Sequence, residues 1–142
     1  PEARALRERF LRPQPRVALG RMLRPLASAA MDISDGLLAD LDKLCAASGC
    51  GAELDLDALP ASAAMQALFA PQTCLDFALA GGEDFELLFT VPEQFEAALL
   101  AQAGTAPGCT RIGRMIEGAG VRCWQGGRRV EIAQRGYVHF AS

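Results

Sequence analysis

The chain has 142 residues, of which 51% are apolar, and carries a formal net charge of −3. This length suffices for one domain with its own core, and no apolar run approaches the roughly 18 to 20 residues that a membrane span requires. Seven arginines fall within the first 24 residues, but the net acidity argues against nucleic-acid binding. We expect the arginines to form a solvated or domain-facing helical surface. We expect neither nucleic acid nor a membrane to be a partner of the chain.

The five cysteines form no CxxC pair, and the one histidine, His139, lies far along the chain. This pattern predicts neither a zinc site nor a disulfide framework, and we expect small buried thiols in a reducing cytoplasm. The chain begins at Pro1 without an initiator methionine or an apolar leader, so we expect it to be part of a longer protein.

Hydrophobic periodicity predicts an α+β fold in which helices pack on a mixed β-sheet. The most regular pattern is the apolar stripe that starts at Leu37 and is closed by Gly49. In chain order, we predict helices over 1–11 and 17–26, a strand over 29–33, a helix from 37 to Gly49, a strand over 52–57, a helix over 61–69, a strand over 85–91, a helix over 92–104, and strands over 111–116, 121–124 and 128–132.

The turn MDISDG places two aspartates and a serine between a predicted strand and a predicted helix. Ser34 or Asp35 could simply cap the helix, and a carboxylate there also suits the helix dipole. Asp32 is not explained by capping, because it adds a second carboxylate on the strand face of Ser34 at a repulsive cost. Mg²⁺ prefers carboxylate oxygens and a helix N-terminus can receive a phosphate, so the turn also fits a metal-nucleotide ligand.

A second acidic turn, GGEDFE, leads into the strand predicted over 85–91. Its glycines, Gly81 and Gly82, allow close approach of another segment or a ligand, and Glu83 stands at the mouth of the strand. Turns of this kind are mostly structural, but two of them in one domain suggest a shared rim. Because the chain has a single lysine, Lys43, and no GxxxxGK[ST] motif, phosphate chemistry here would rest on metals, backbone donors and arginines.

Four segments in this order resemble the C-terminal domain of bacterial thiamine-monophosphate kinases, in the superfamily of aminoimidazole ribonucleotide synthase and selenophosphate synthetase. They are PQPRVALGRMLRPLASAAMDISDGLLADL, GGEDFELLFTVP, RIGRM and GYVHF. The resemblance implies ATP-dependent phosphorylation of thiamine monophosphate to thiamine diphosphate, with ATP as co-substrate and several Mg²⁺ ions. It also implies an N-terminal domain, absent from this chain, that binds ATP and Mg²⁺ and forms a homodimer.

Carried over by position, the resemblance implies that Asp32 and Asp35 bind metal, that Ser34 contacts ATP, and that Glu83 and Tyr137 contact the thiamine substrate. A carboxylate and an aromatic face suit a cationic, ring-containing molecule. No catalytic residue is assigned, and we expect the chain alone to be inactive, because the partner domain would supply the remaining metal ligands. Two alternatives stay open: the equivalent domain of another enzyme of the superfamily, and a non-catalytic assembly domain in which both turns are only caps.

Overall fold

The protein is described by a computed structural model that covers residues 1–82, 85–103 and 108–132. Six α-helices, one short 3₁₀ helix (Leu56–Ala58) and six strands lie in these ranges. The helices are α1 (Glu2–Leu11), α2 (Val17–Leu23), α3 (Leu37–Ser48), α4 (Ala63–Leu68), α5 (Pro71–Ala80) and α6 (Glu93–Ala103). The strands are β1 (Ala29–Asp32), β2 (Gly51–Asp55), β3 (Leu87–Thr90), β4 (Gly113–Ile116), β5 (Gly120–Gln125) and β6 (Arg128–Val130).

The described strands form two sheets rather than the one that the sequence predicts. The larger has the order β4-β2-β5-β6, and it is mixed because β2 is antiparallel to β4 but parallel to β5. β5 and β6 form the predicted hairpin, whose turn places Gly126 and Gly127 at positive φ. The smaller sheet is the antiparallel pair β1-β3, in which Asp32 lies opposite Leu87. The α+β class and the mixed sheet are confirmed.

Two apolar clusters flank β3. Its residue Leu88 packs in the larger cluster, between α3 and the mixed sheet, with Leu38, Leu41 and Leu54. The neighbouring Leu87 packs against the smaller cluster, which joins α2 and α6. Successive side chains of a strand point to opposite faces, so β3 is held from both sides. The start of β3, where the second acidic turn enters, is therefore fixed by packing.

The helix α3 has the predicted stripe and ends as predicted, with Gly49 in the left-handed conformation. The second helix ends at Leu23, short of the predicted 26, because Pro25 follows within two residues. The sequence-based prediction omitted α5, which begins with a proline at its first turn and follows α4 almost directly. None of the helices in the described ranges combines the length and apolar character that crossing a membrane takes.

Candidate functional site

The two acidic turns meet at one end of the β1-β3 pair. The Ile33 N–H donates to the Glu86 carbonyl over 2.9 Å, and the Phe85 N–H donates to the Ile33 carbonyl over 3.0 Å. These bonds extend the strand pairing into both turns, so the chain segments around Asp32 and Glu86 run side by side. The shared rim predicted from the sequence is confirmed for the described residues.

Two glycines are needed for the turns to come this close. A Cβ on Gly82 would lie 2.7 Å from the Ser34 carbonyl oxygen, which is closer than non-bonded contacts of Cβ atoms normally are. Gly36 has φ +107°, and a Cβ there would lie 3.1 Å from the carbonyl carbon of Ala80. The glycines of both motifs thus serve close backbone packing of one turn against the end of α5 and the turn that follows it.

The buried carboxylate of Asp40 organises the first turn. Its side chain is 0% exposed, and its Oδ2 accepts the backbone N–H of Ser34 over 2.8 Å and that of Asp35 over 2.9 Å. The N-cap of α3 is Gly36, with no side-chain capping bond. The N-cap position is therefore Gly36 rather than Ser34 or Asp35. Asp40, within the first turns of α3, holds the backbone of the acidic turn that precedes the helix.

Lys43 completes this network. Its ammonium donates to Asp40 Oδ1 over 2.8 Å and also pairs with the Asp35 carboxylate. Burial acts to raise the pKa of Asp40, but the hydrogen bonds from Lys43 and from the two backbone N–H groups outweigh burial and lower it. The bonds to Asp35 and Asp40 raise the pKa of Lys43. Asp40 and Lys43 therefore both stay charged at neutral pH.

A second ion-pair group fixes the other turn. Glu86 accepts two bonds from the Arg16 guanidinium, from Nε over 2.8 Å and from Nη2 over 2.6 Å, and it also pairs with Arg9. The Arg16 bonds lower the pKa of Glu86 below its ordinary range despite partial burial. Two arginines of the basic N-terminal segment thus lie against the rim, where the sequence pattern alone indicated only a solvated or domain-facing surface.

The residues implied by the resemblance divide into two groups. Asp32 ends β1 with its side chain exposed, and within the described residues no hydrogen-bond partner is found for its carboxylate. Ser34 and Asp35 are half-buried in the adjoining turn. Glu83 and Tyr137 lie outside the described residues. The first turn therefore places two carboxylates and a hydroxyl at the rim, beside the N-terminus of α3.

The donor set of this turn fits a hard cation in part. Carboxylate oxygens are the ligands that Mg²⁺ prefers, and the ion commonly takes one or two of them together with substrate phosphates and water. Asp32 and Asp35 would supply such a pair. Across the described ranges, no group of three or more acidic, histidine or cysteine side chains is arranged to hold a metal. Phosphates, water or further groups would complete the coordination.

Fold and rim together define an α+β domain that presents carboxylates at the end of a strand pair, next to a helix N-terminus. Residues 3–124 match the family model for the AIR synthase related protein, C-terminal domain. The chain therefore belongs to this family, as a C-terminal domain of the AIR synthase related type.

Named relatives are more specific than the family. The chain is 46% identical to thiamine-monophosphate kinase from Salmonella typhimurium, over 99% of the chain and 44% of that relative. The crystal structure of thiamine-monophosphate kinase from Stenotrophomonas maltophilia superposes with a TM-score of 0.82 at 44% identity, over 91% of the chain and 40% of that structure. The structure of AaThiL complexed with AMPPCP and TMP superposes with a TM-score of 0.77 at 36% identity, over 99% of the chain and 42% of that structure. The chain thus spans less than half the length of these proteins.

Proposed function

We propose that the chain is the C-terminal domain of a thiamine-monophosphate kinase, which phosphorylates thiamine monophosphate to thiamine diphosphate with ATP. The observation that carries the proposal is the 46% identity with a kinase of this name, extending over 99% of the chain. A solved relative that matches 99% of the chain is described as bound to AMPPCP and TMP. The rim adds a chemical reason, since it joins acidic oxygen donors to a helix N-terminus.

In this proposal the first turn faces the transferring phosphates. Asp32 and Asp35 hold Mg²⁺, and Ser34 contacts ATP. Asp40 fixes the backbone of Ser34 and Asp35 and thereby positions their side chains. Bound Mg²⁺ would neutralise charge on the phosphates and orient them. Glu83 and Tyr137 contact the thiamine moiety, whose positive charge suits a carboxylate and an aromatic face.

The rest of the site belongs to a further domain in this proposal. We propose an N-terminal ATP- and Mg²⁺-binding domain that also forms a homodimer, and a cytoplasmic location for the whole protein. Phosphoryl transfer needs charge stabilisation on both sides of the transferred group. The chain of 142 residues by itself is accordingly expected to lack kinase activity.

The test is a product assay on the full-length protein with ATP, Mg²⁺ and thiamine monophosphate. We expect thiamine diphosphate to form with one ADP released per product, and the acceptors of the aminoimidazole ribonucleotide synthase and selenophosphate synthetase types to give no product. Turnover of one of those acceptors, with none of thiamine monophosphate, would assign the domain to another enzyme of the superfamily. No turnover of any acceptor would favour an assembly role.

A further inference from the structure

Lys43 has no part in the function proposed above, yet it touches one of its metal-ligand candidates. It is the single lysine of the chain, and its ammonium lies between the carboxylates of Asp35 and Asp40. The Lys43 side chain is 53% exposed and that of Asp40 is 0% exposed. The ammonium thus contacts a buried anion, held by two backbone hydrogen bonds, on one side and a rim carboxylate on the other.

Asp40 is what keeps the ammonium in place. One of its oxygens is taken by the backbone N–H groups of Ser34 and Asp35, which leaves the other facing Lys43 at 2.8 Å. Lys43 lies one helical turn after Asp40, a spacing at which two side chains of a helix meet. A cation tethered in this way holds its position next to Asp35 without help from any ligand.

We infer that Lys43 is a resident counter-cation of Asp35 that competes with the divalent ion and keeps metal affinity low until nucleotide phosphates arrive. The inference rests on the proposed function, because it takes Asp35 as a metal ligand. An ammonium and a Mg²⁺ ion that share one carboxylate repel each other and divide its charge. Nucleotide phosphates add negative charge that offsets this repulsion, so the metal binds well only together with the nucleotide.

The test measures Mg²⁺ affinity by calorimetry on the full-length protein without nucleotide. Lys43→Gln removes the competing charge, and we expect Mg²⁺ to bind about tenfold more tightly, the size of one charge-assisted contact. Lys43→Arg keeps the charge and should stay within about twofold of the wild type. Arg111→Gln is the matched control, because it also removes one positive charge, from the exposed pair with Glu96, and it too should stay within about twofold.

Two further variants tie the effect to the rim. In an Asp35→Asn background, Lys43→Gln should no longer tighten Mg²⁺ binding, because the shared carboxylate charge is gone. If Lys43→Gln alone fails to fold because Asp40 has lost its partner, the double variant Lys43→Gln/Asp40→Asn removes the buried charge as well. It should show the same gain in affinity.

Unchanged or weaker Mg²⁺ binding in the Lys43→Gln variant would overturn the inference, as would the absence of detectable binding in every variant. Unchanged metal affinity with weaker ATP binding would also overturn it and make Lys43 a phosphate ligand. These outcomes are separate from the proposed function: kinase activity with an unchanged affinity refutes the inference alone. A gain in affinity in a protein without kinase activity refutes only the function.

Discussion

Replacing Asp40 with asparagine tests whether the buried carboxylate holds the first acidic turn. Asparagine keeps the shape of the side chain and one carbonyl oxygen, so both backbone N–H groups of Ser34 and Asp35 retain an acceptor. The charge is lost, and the new amide group turns two N–H donors toward the Lys43 ammonium, which is also a donor. The change therefore weakens three contacts without opening a cavity.

The expected cost follows from those contacts. Losing the charge reduces each of the two backbone bonds, at 2.8 and 2.9 Å, by about 1 kcal/mol, the usual difference between charged and neutral hydrogen bonds. The Lys43 contact adds about 1 kcal/mol or less, since the lysine is half exposed and solvent screens the pair. We expect Asp40→Asn to lower the free energy of unfolding by about 3 kcal/mol.

Urea unfolding of the 142-residue chain at several pH values provides the assay. Because the pKa of Asp40 is lowered in the fold, its stabilisation is fully present above the unfolded value of about 4 and disappears as the pH falls through the folded value. The gap between wild type and Asp40→Asn should be constant from pH 7 to pH 5 and narrow below about pH 4. Hydrogen exchange of the Ser34 and Asp35 amides should quicken in the variant.

Asp76→Asn is the matched control, because it makes the same chemical change on an exposed helix position whose partner is Gln72. It should cost no more than about 0.5 kcal/mol. If Asp40→Asn cost no more than this control, or if the Ser34 and Asp35 amides exchanged at wild-type rates, the assignment of Asp40 as the anchor of the turn would be wrong.

Three further substitutions probe the rim. Glu86→Gln should lower the free energy of unfolding by about 1–2 kcal/mol in urea titrations, since it breaks a partly buried bidentate pair. Its control, Arg111→Gln, lies in an exposed pair with Glu96 and should cost under about 0.5 kcal/mol. Gly82→Ala should cost about 2–3 kcal/mol by the same measurement, because its Cβ would meet the Ser34 carbonyl oxygen at 2.7 Å. Gly108→Ala is its control and should be near neutral, since a Cβ there meets nothing within 4 Å. Asp32→Asn should leave the melting temperature within about 2 °C and lower kcat of the full-length protein about a hundredfold or more; a large drop in melting temperature with normal kcat would make Asp32 structural.

The elements with strong local patterns could be predicted from the sequence. The stripe of α3 and its closure at Gly49, and the paired glycines of the β5–β6 hairpin, are encoded within a few residues of each other. The helix α5 was missed because its pattern is weak: of its ten residues only Cys74 and Leu79 are buried. The separation of β1-β3 from the larger sheet depends on packing over long sequence distances, which no local pattern contains.

The site was predictable in position but not in its internal contacts. The two glycine-acid turns indicated the rim, yet the anchor Asp40 was overlooked. A signal for it exists, since Asp40 lies three residues after Leu37 and four before Leu44 and so falls on the apolar face of α3. An acid at such a position must be paired, so it predicts a buried network. The Arg16–Glu86 pair spans 70 residues and has no comparable local signal.

The most direct test of the account is a crystal structure of the full-length protein with Mg²⁺, a non-hydrolysable ATP analogue and thiamine monophosphate. The account predicts a Mg²⁺ ion bound to oxygens of both Asp32 and Asp35 at about 2.1 Å and also to nucleotide phosphate oxygens. It further predicts that the Asp40 bonds to the Ser34 and Asp35 amides stay intact. A structure with phosphates and metal in place, but with both carboxylates beyond about 4 Å from every metal ion, would contradict the central claim that this turn is a metal site.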